Sequence, residues 1–221
     1  MKKIFLIIAI LTMPFAASAQ GYKGFIDIFG GTQFGGGIDI PIPEHYDVTG
    51  IKNDLAFGLN VTGGYQITNF LFAGVGFGGY TTLMGGTTHD SYYNDRERVF
   101  HSFYFPIFAD VRWTLDIERK VTPFVDLKVG YQFAFEMGNG CLSYYSYNYD
   151  VFSKGKNGAY FMPSVGVRFG KASGFNLGIA YNATVPTKLL QNYEVSPDNY
   201  ELREVSKTNK GVFMITFGAD F

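Results

Sequence analysis

The chain is poor in cysteine, poor in charge, and has no long apolar run outside its first twenty residues. One Cys in 221 residues excludes an intramolecular disulfide framework and any Cys-rich zinc site. Charged residues make up only 17%, and 18 Lys+Arg stand against 19 Asp+Glu. That balance excludes a nucleic-acid binder driven by a large positive field. The lack of a long apolar stretch excludes a transmembrane helix in the body of the chain. What is abundant is glycine (28), tyrosine (16) and phenylalanine (23), within a hydrophobic content of 47%. Such a chain is not disordered, and its composition points to sheet.

The beginning reads as a leader. Lys2 and Lys3 give a basic start, Ile4 to Met13 is apolar but too short to span a bilayer, and Ala17-Ser18-Ala19 offers small residues for cleavage before Gln20. No Cys follows it to carry a lipid anchor. Residues 1–19 are therefore expected to be a signal peptide, and residues 20–221 one exported domain. A membrane fate for that domain requires a β-barrel.

Period-two alternation runs through the remainder. From Leu55 to Tyr65 the odd positions are apolar, aromatic or Gly, and the even ones include Asn60, Thr62 and Gln66. The same pattern returns in 71–77, 103–113, 125–135, 161–169, 175–181 and 213–221. A less regular segment at 22–29 brings the number of strands to eight. The gaps alternate strictly: long at 30–53, 81–98, 136–157 and 184–210, short at 67–69, 116–121 and 171–173. One end of the sheet thus carries tight turns and the other long loops, as in bacterial outer-membrane barrels.

Alternation alone does not separate a barrel from a soluble sandwich. Three features favour the barrel. The polar face is mostly Gly, Ser, Asn and Ala rather than Lys, Glu and Thr. Aromatics on the apolar face sit near segment ends: Tyr65, Trp113 and Phe169 at the turn side, Phe135 and Tyr181 at the loop side. The chain also ends on Phe221 with no polar tail. The expected fold is an all-β, eight-stranded antiparallel up-and-down transmembrane β-barrel.

At these residues the sequence resembles a family. The leader ending Ala19-Gln20, the segments Pro123-Phe124-Val125-Asp126-Leu127-Lys128-Val129-Gly130-Tyr131 and Pro163-Ser164-Val165-Gly166-Val167-Arg168-Phe169-Gly170, and the closing Phe221 look like small bacterial outer-membrane β-barrel proteins. They are most similar to Bacteroides-type relatives with an eight-stranded, porin-superfamily-like barrel. The resemblance covers essentially the whole chain after the leader. It implies residence in a Gram-negative outer membrane, among its lipid and lipopolysaccharide. It also implies assembly by the barrel-insertion machinery, with the closing strand (Phe213, Ile215, Phe217, Phe221) as a recognition element. It carries over no catalytic residue.

Inward charges are the most informative polar residues. Parity assigns Asp27, Asp110, Arg112, Asp126, Lys128, Arg168 and Asp220 to the lumen, four acids and three bases. Eight strands leave room for little more than side chains, so this set reads as an ion network that fills the barrel. The alternative is a narrow polar path, for which inward glycines at 74, 76, 78, 130, 166 and 178 would leave space. A lipid-modifying hydrolase would need a His-based set near the rim. His45, His89 and His101 offer none, since His89-Asp90-Ser91 is a loop cluster and His101 neighbours Phe103 on its own face. No pair of His or Cys has metal-ligand spacing, and no cofactor is expected. Cys141 reads as a free thiol.

The loops are rich in tyrosine: Tyr92, Tyr93, Tyr144, Tyr145, Tyr147 and Tyr149, with Tyr193 and Tyr200 further on. These rings either bind an extracellular protein or glycan, or pack on one another at the outer rim. The expected function is a monomeric, non-enzymatic barrel that is structural or surface-binding. The alternatives are a narrow channel for small or apolar solutes and, more remotely, a lipid-modifying hydrolase.

Charge also predicts one register. Across the turn at 116–121, Asp110 can face Asp126, which opposes two carboxylates. Two residues along, Asp110 faces Lys128 and Arg112 faces Asp126. The second arrangement is expected, with Arg168 joining Asp126.

Overall fold

A computed structural model describes residues 21–33, 38–42, 46–90, 96–117, 119–135, 151–171, 173–183, 185–196, 199–209 and 211–221. All regular structure in this set is strand, and it contains no helix. In chain order the strands are β1 (Tyr22–Thr32), β2 (Ile38–Ile42), β3 (Tyr46–Gln66), β4 (Leu71–Asp90), β5 (Arg96–Thr114) and β6 (Val121–Phe135). Then follow β7 (Val151–Gly155), β8 (Gly158–Gly170), β9 (Gly174–Asn182), β10 (Pro186–Ser196), β11 (Asn199–Asn209) and β12 (Val212–Asp220).

Eight of them form the wall. β1, β3, β4, β5, β6, β8, β9 and β12 pair antiparallel in that order, and β12 returns to β1. The result is a closed eight-stranded antiparallel up-and-down β-barrel. Closure leaves no unpaired edge in the wall. β2 adds to the far end of β3, and β7, β10 and β11 make a separate three-stranded sheet at the loop end.

The four long gaps differ from expectation. Much of 46–54, 81–90 and 96–102 is strand, because the β3–β4 and β4–β5 hairpins continue well past the apolar segments. Two register shifts interrupt the β3–β4 ladder, between Thr49 and Lys52 and between Asn53 and Leu55. Each shift flips the sense of the alternation, so the two-residue period disappears from the sequence while the strand goes on. The segment 184–210 likewise holds the β10–β11 hairpin.

Exposure alternates along most of the wall. In β6 Val125, Leu127, Val129 and Tyr131 are exposed, whereas Phe124, Asp126, Lys128 and Gln132 are buried. The outer face is an apolar belt: Ile28, Leu59, Val75, Ile107, Val165, Leu177, Ile179 and Ile215 are all at least 42% exposed. The buried set holds Asp27, Asp110, Arg112, Asp126, Lys128, Arg168 and Asp220. This is the reverse of a water-soluble domain. Each large apolar side chain left in water forgoes roughly 1.5–3 kcal/mol of burial.

Rings fill the lumen by lying over glycines on neighbouring strands. A Cβ placed on Gly76 would meet Phe108 at 2.6 Å, on Gly64 Phe72 at 2.7 Å, and on Gly166 Phe124 at 2.7 Å. At these three positions the missing side chain makes room for a ring from the adjacent strand.

Candidate functional site

The lumen is built in two layers. Nearest the short turns is a charged layer supplied by β1, β5, β6, β8 and β12. The ladder between β5 and β6 pairs Asp110 with Lys128 and Arg112 with Asp126, which is the register that charge predicts. One Arg112 nitrogen, Nη2, lies 3.3 Å from both Asp27 Oδ2 and Asp126 Oδ2. Lys128 Nζ donates to Asp126 and lies 3.3 Å from Asp27 and 3.4 Å from Asp110. Two bases from neighbouring strands thus serve three acids from three strands. The guanidinium of Arg112 is also sandwiched, 4.0 Å from the Phe25 ring centroid and 4.8 Å from that of Phe124.

Arg168 does not join Asp126. The β6–β8 ladder sets Ser164 opposite Asp126, and Ser164 Oγ donates to Asp126 Oδ2 at 3.2 Å. Arg168 lies opposite Thr122, closer to the turns. From there it reaches over β9 at Gly174, whose missing side chain leaves the way open, and grips Asp220 with Nε at 2.9 Å and Nη2 at 2.7 Å. This forked pair is the geometry that a guanidinium favours with a carboxylate. Its remaining donors go to the carbonyls of Ile117, Gly170 and Lys171. Lys23 of β1 sits 3.4 Å from the same Asp220. The seven residues thus form two clusters: Asp27, Asp110, Arg112, Asp126 and Lys128 in one, Arg168 and Asp220 in the other.

Towards the loops the lumen becomes aromatic. Tyr80 and Tyr104 stack with centroids 4.9 Å apart, and Phe108 meets Tyr160 at 5.5 Å. Phe29, Met162, Met214, Val185 and Val212 pack around them. The hydroxyls are partnered within this layer. Tyr80 donates to Gln132, Asn60 Nδ2 donates to the Tyr160 oxygen at 3.1 Å, and Tyr160 donates to Met162 Sδ at 2.9 Å. Sequence reading missed this layer, though parity carried it. Tyr80, Tyr104, Phe108, Tyr160, Met162 and Met214 all occupy even positions, on the face read as polar.

On the closing strand Phe213, Ile215 and Phe217 are exposed on the outer face, and Ile28 of β1 pairs with Phe217. Phe221 exchanges two backbone hydrogen bonds with Gly24, at 3.0 and 3.1 Å, and its ring covers the space a Gly24 side chain would need. The leader 1–19, His45, Cys141, Tyr92, Tyr93, Tyr144, Tyr145, Tyr147 and Tyr149 lie outside the described residues. Tyr193 and Tyr200 fall on β10 and β11, and His89 on β4. His101 is exposed on β5. Among the described residues no three His, Cys, Asp or Glu side chains converge as metal ligands.

No family model matches this sequence, and no curated protein matches it. Solved structures do. The outer membrane protein OprG from Pseudomonas aeruginosa is similar at a TM-score of 0.55 and 14% identity, over 91% of this chain and 96% of that one. The outer membrane protein AlkL in DMPC lipid bilayers superposes at a TM-score of 0.45 and 19% identity, over 91% and 90%. The likeness to OprG is one of fold: this chain has the fold of an outer-membrane β-barrel.

Proposed function

We propose that the protein is an integral outer-membrane β-barrel, exported by the leader 1–19 and acting without catalysis through its loop end. The inverted arrangement of its surfaces supports membrane residence most directly: charges buried inside, aliphatic side chains exposed outside. Only a lipid solvent turns that exposed belt from a cost into a gain. The packed ionic layer argues against axial flow, because Arg112 and Lys128 bridge strands across the lumen and the Phe25 and Phe124 rings close over the Arg112 guanidinium. The extended hairpins and the three-stranded sheet at the loop end are the natural surface for an external partner. Refolded protein in planar bilayers should give no stepwise conductance, and its expression should leave the lipid A mass unchanged. Regular conductance steps would overturn the sealed-lumen reading.

A second reading, a route for small apolar solutes, is favoured by one observation. The β4–β5 ladder skips Gly78 and Gly79, opposite Phe105 and Pro106. Pro106 has no N–H, so the rung to the Gly78 carbonyl is missing where the lumen is lined by rings. On this reading Pro106→Ala, which restores the donor, lowers the uptake of an apolar dye into proteoliposomes. Equal uptake by the two proteins would remove the route.

A further inference from the structure

The cluster around Asp126 holds three acids, Asp27, Asp110 and Asp126, against two bases, Arg112 and Lys128. Taken with the neighbouring cluster, in which Arg168 and Lys23 share Asp220, acids and bases balance, so the shortfall is local to the first cluster. The shortfall has a location. Asp126 Oδ2 accepts from Arg112 at 3.3 Å, from Lys128, and from Ser164 at 3.2 Å. Asp126 Oδ1 accepts nothing. Neither oxygen of the fully buried Asp110 carboxylate has a hydrogen-bond donor, and its link to Lys128 is an ion pair at 3.4 Å without hydrogen-bond alignment. The two carboxylates lie diagonally across the β5–β6 ladder, and the Lys128 ammonium touches an oxygen of each. Two ionised carboxylates are acceptors only and cannot bond to each other.

We infer that Asp110 and Asp126 form a proton-binding site inside the barrel. One proton taken from solvent resides on Asp110 and is donated to Asp126 Oδ1. A single O–H···O⁻ bond then gives Asp126 Oδ1 a donor and one Asp110 oxygen a partner, brings this cluster to neutrality and leaves Asp126 free to hold its three donors. The groups facing the pair are consistent with this. β1 contributes Asp27, which is already shared between the two bases, and β8 contributes Ser164, which is committed to Asp126 Oδ2. The β4 residue paired with Asp110 is Gly74, which brings no charge. The inference holds whether or not the lumen conducts.

Infrared spectroscopy of the protein refolded in lipid vesicles at neutral pH tests it. Wild type should show a carboxylic-acid C=O band that shifts in heavy water, disappears in Asp110→Asn and moves in Asp110→Glu. Asp110→Asn should still fold, judged by heat-modifiable migration on gels, because its amide N–H replaces the acid O–H. Should that variant not fold, the band shift in Asp110→Glu decides the assignment. A wild-type spectrum without the band overturns the site, as does a band that Asp110→Asn or Asp110→Glu leaves unchanged. Folding that depends on sodium, with no band, would mean that a metal cation supplies the missing charge, and overturns it too.

Discussion

Asp126 is the residue on which most of the charged layer depends. Three donors from three strands converge on one of its oxygens. Replacing it with Asn leaves Arg112 and Lys128 with fewer acids than they were arranged to meet. Breaking a buried pair by removing one partner costs about 3–5 kcal/mol. Asp126→Asn should therefore lower unfolding free energy in vesicles by an amount in that range, measured by urea titration. A loss no larger than that of an exposed substitution would show that the donors re-pair elsewhere. Leu127 is the next residue along and points the other way. Arg in its place meets lipid near mid-strand, at a cost of about 2–4 kcal/mol in bilayers. The same titration reads it, and a neutral outcome would place Leu127 outside the hydrocarbon layer.

At the scale of strands, the β12–β1 ladder closes the barrel and ends in the Phe221–Gly24 pair. Deleting Phe221 removes two backbone hydrogen bonds and the ring that covers Gly24. The truncated protein should accumulate unfolded before reaching the membrane, whereas normal heat-modifiable migration would show that the last residue is dispensable. The wall strands were legible in the sequence because lipid outside and protein inside impose opposite demands on successive residues, as in 125–135. The β5–β6 register was legible because only one pairing puts Asp110 and Arg112 opposite unlike charges. The long hairpins were not, because beyond the apolar belt the two faces of a strand no longer meet different solvents, and the register shifts near Thr49 and Asn53 break the period. Arg168 was misassigned for another reason. Strand counting placed it near Asp126, but the Asp220 carboxylate lies within its reach across a glycine, which pairing rules for adjacent strands do not include.

For the whole molecule, closure means that each wall strand is paired with a neighbour on both sides, the missing rung at Gly78 and Pro106 aside. Among the described strands, β2, β7 and β11 stand apart from this rule, each paired on one side only and each at the loop end. A free strand edge is a template for another extended chain, because a row of N–H and C=O groups accepts any backbone in register. In the wall that template does not exist. Any contact made by strand addition, whether with a partner or in faulty self-association, is thus confined to the region above the apolar belt, where backbone hydrogen bonds must compete with water rather than with lipid.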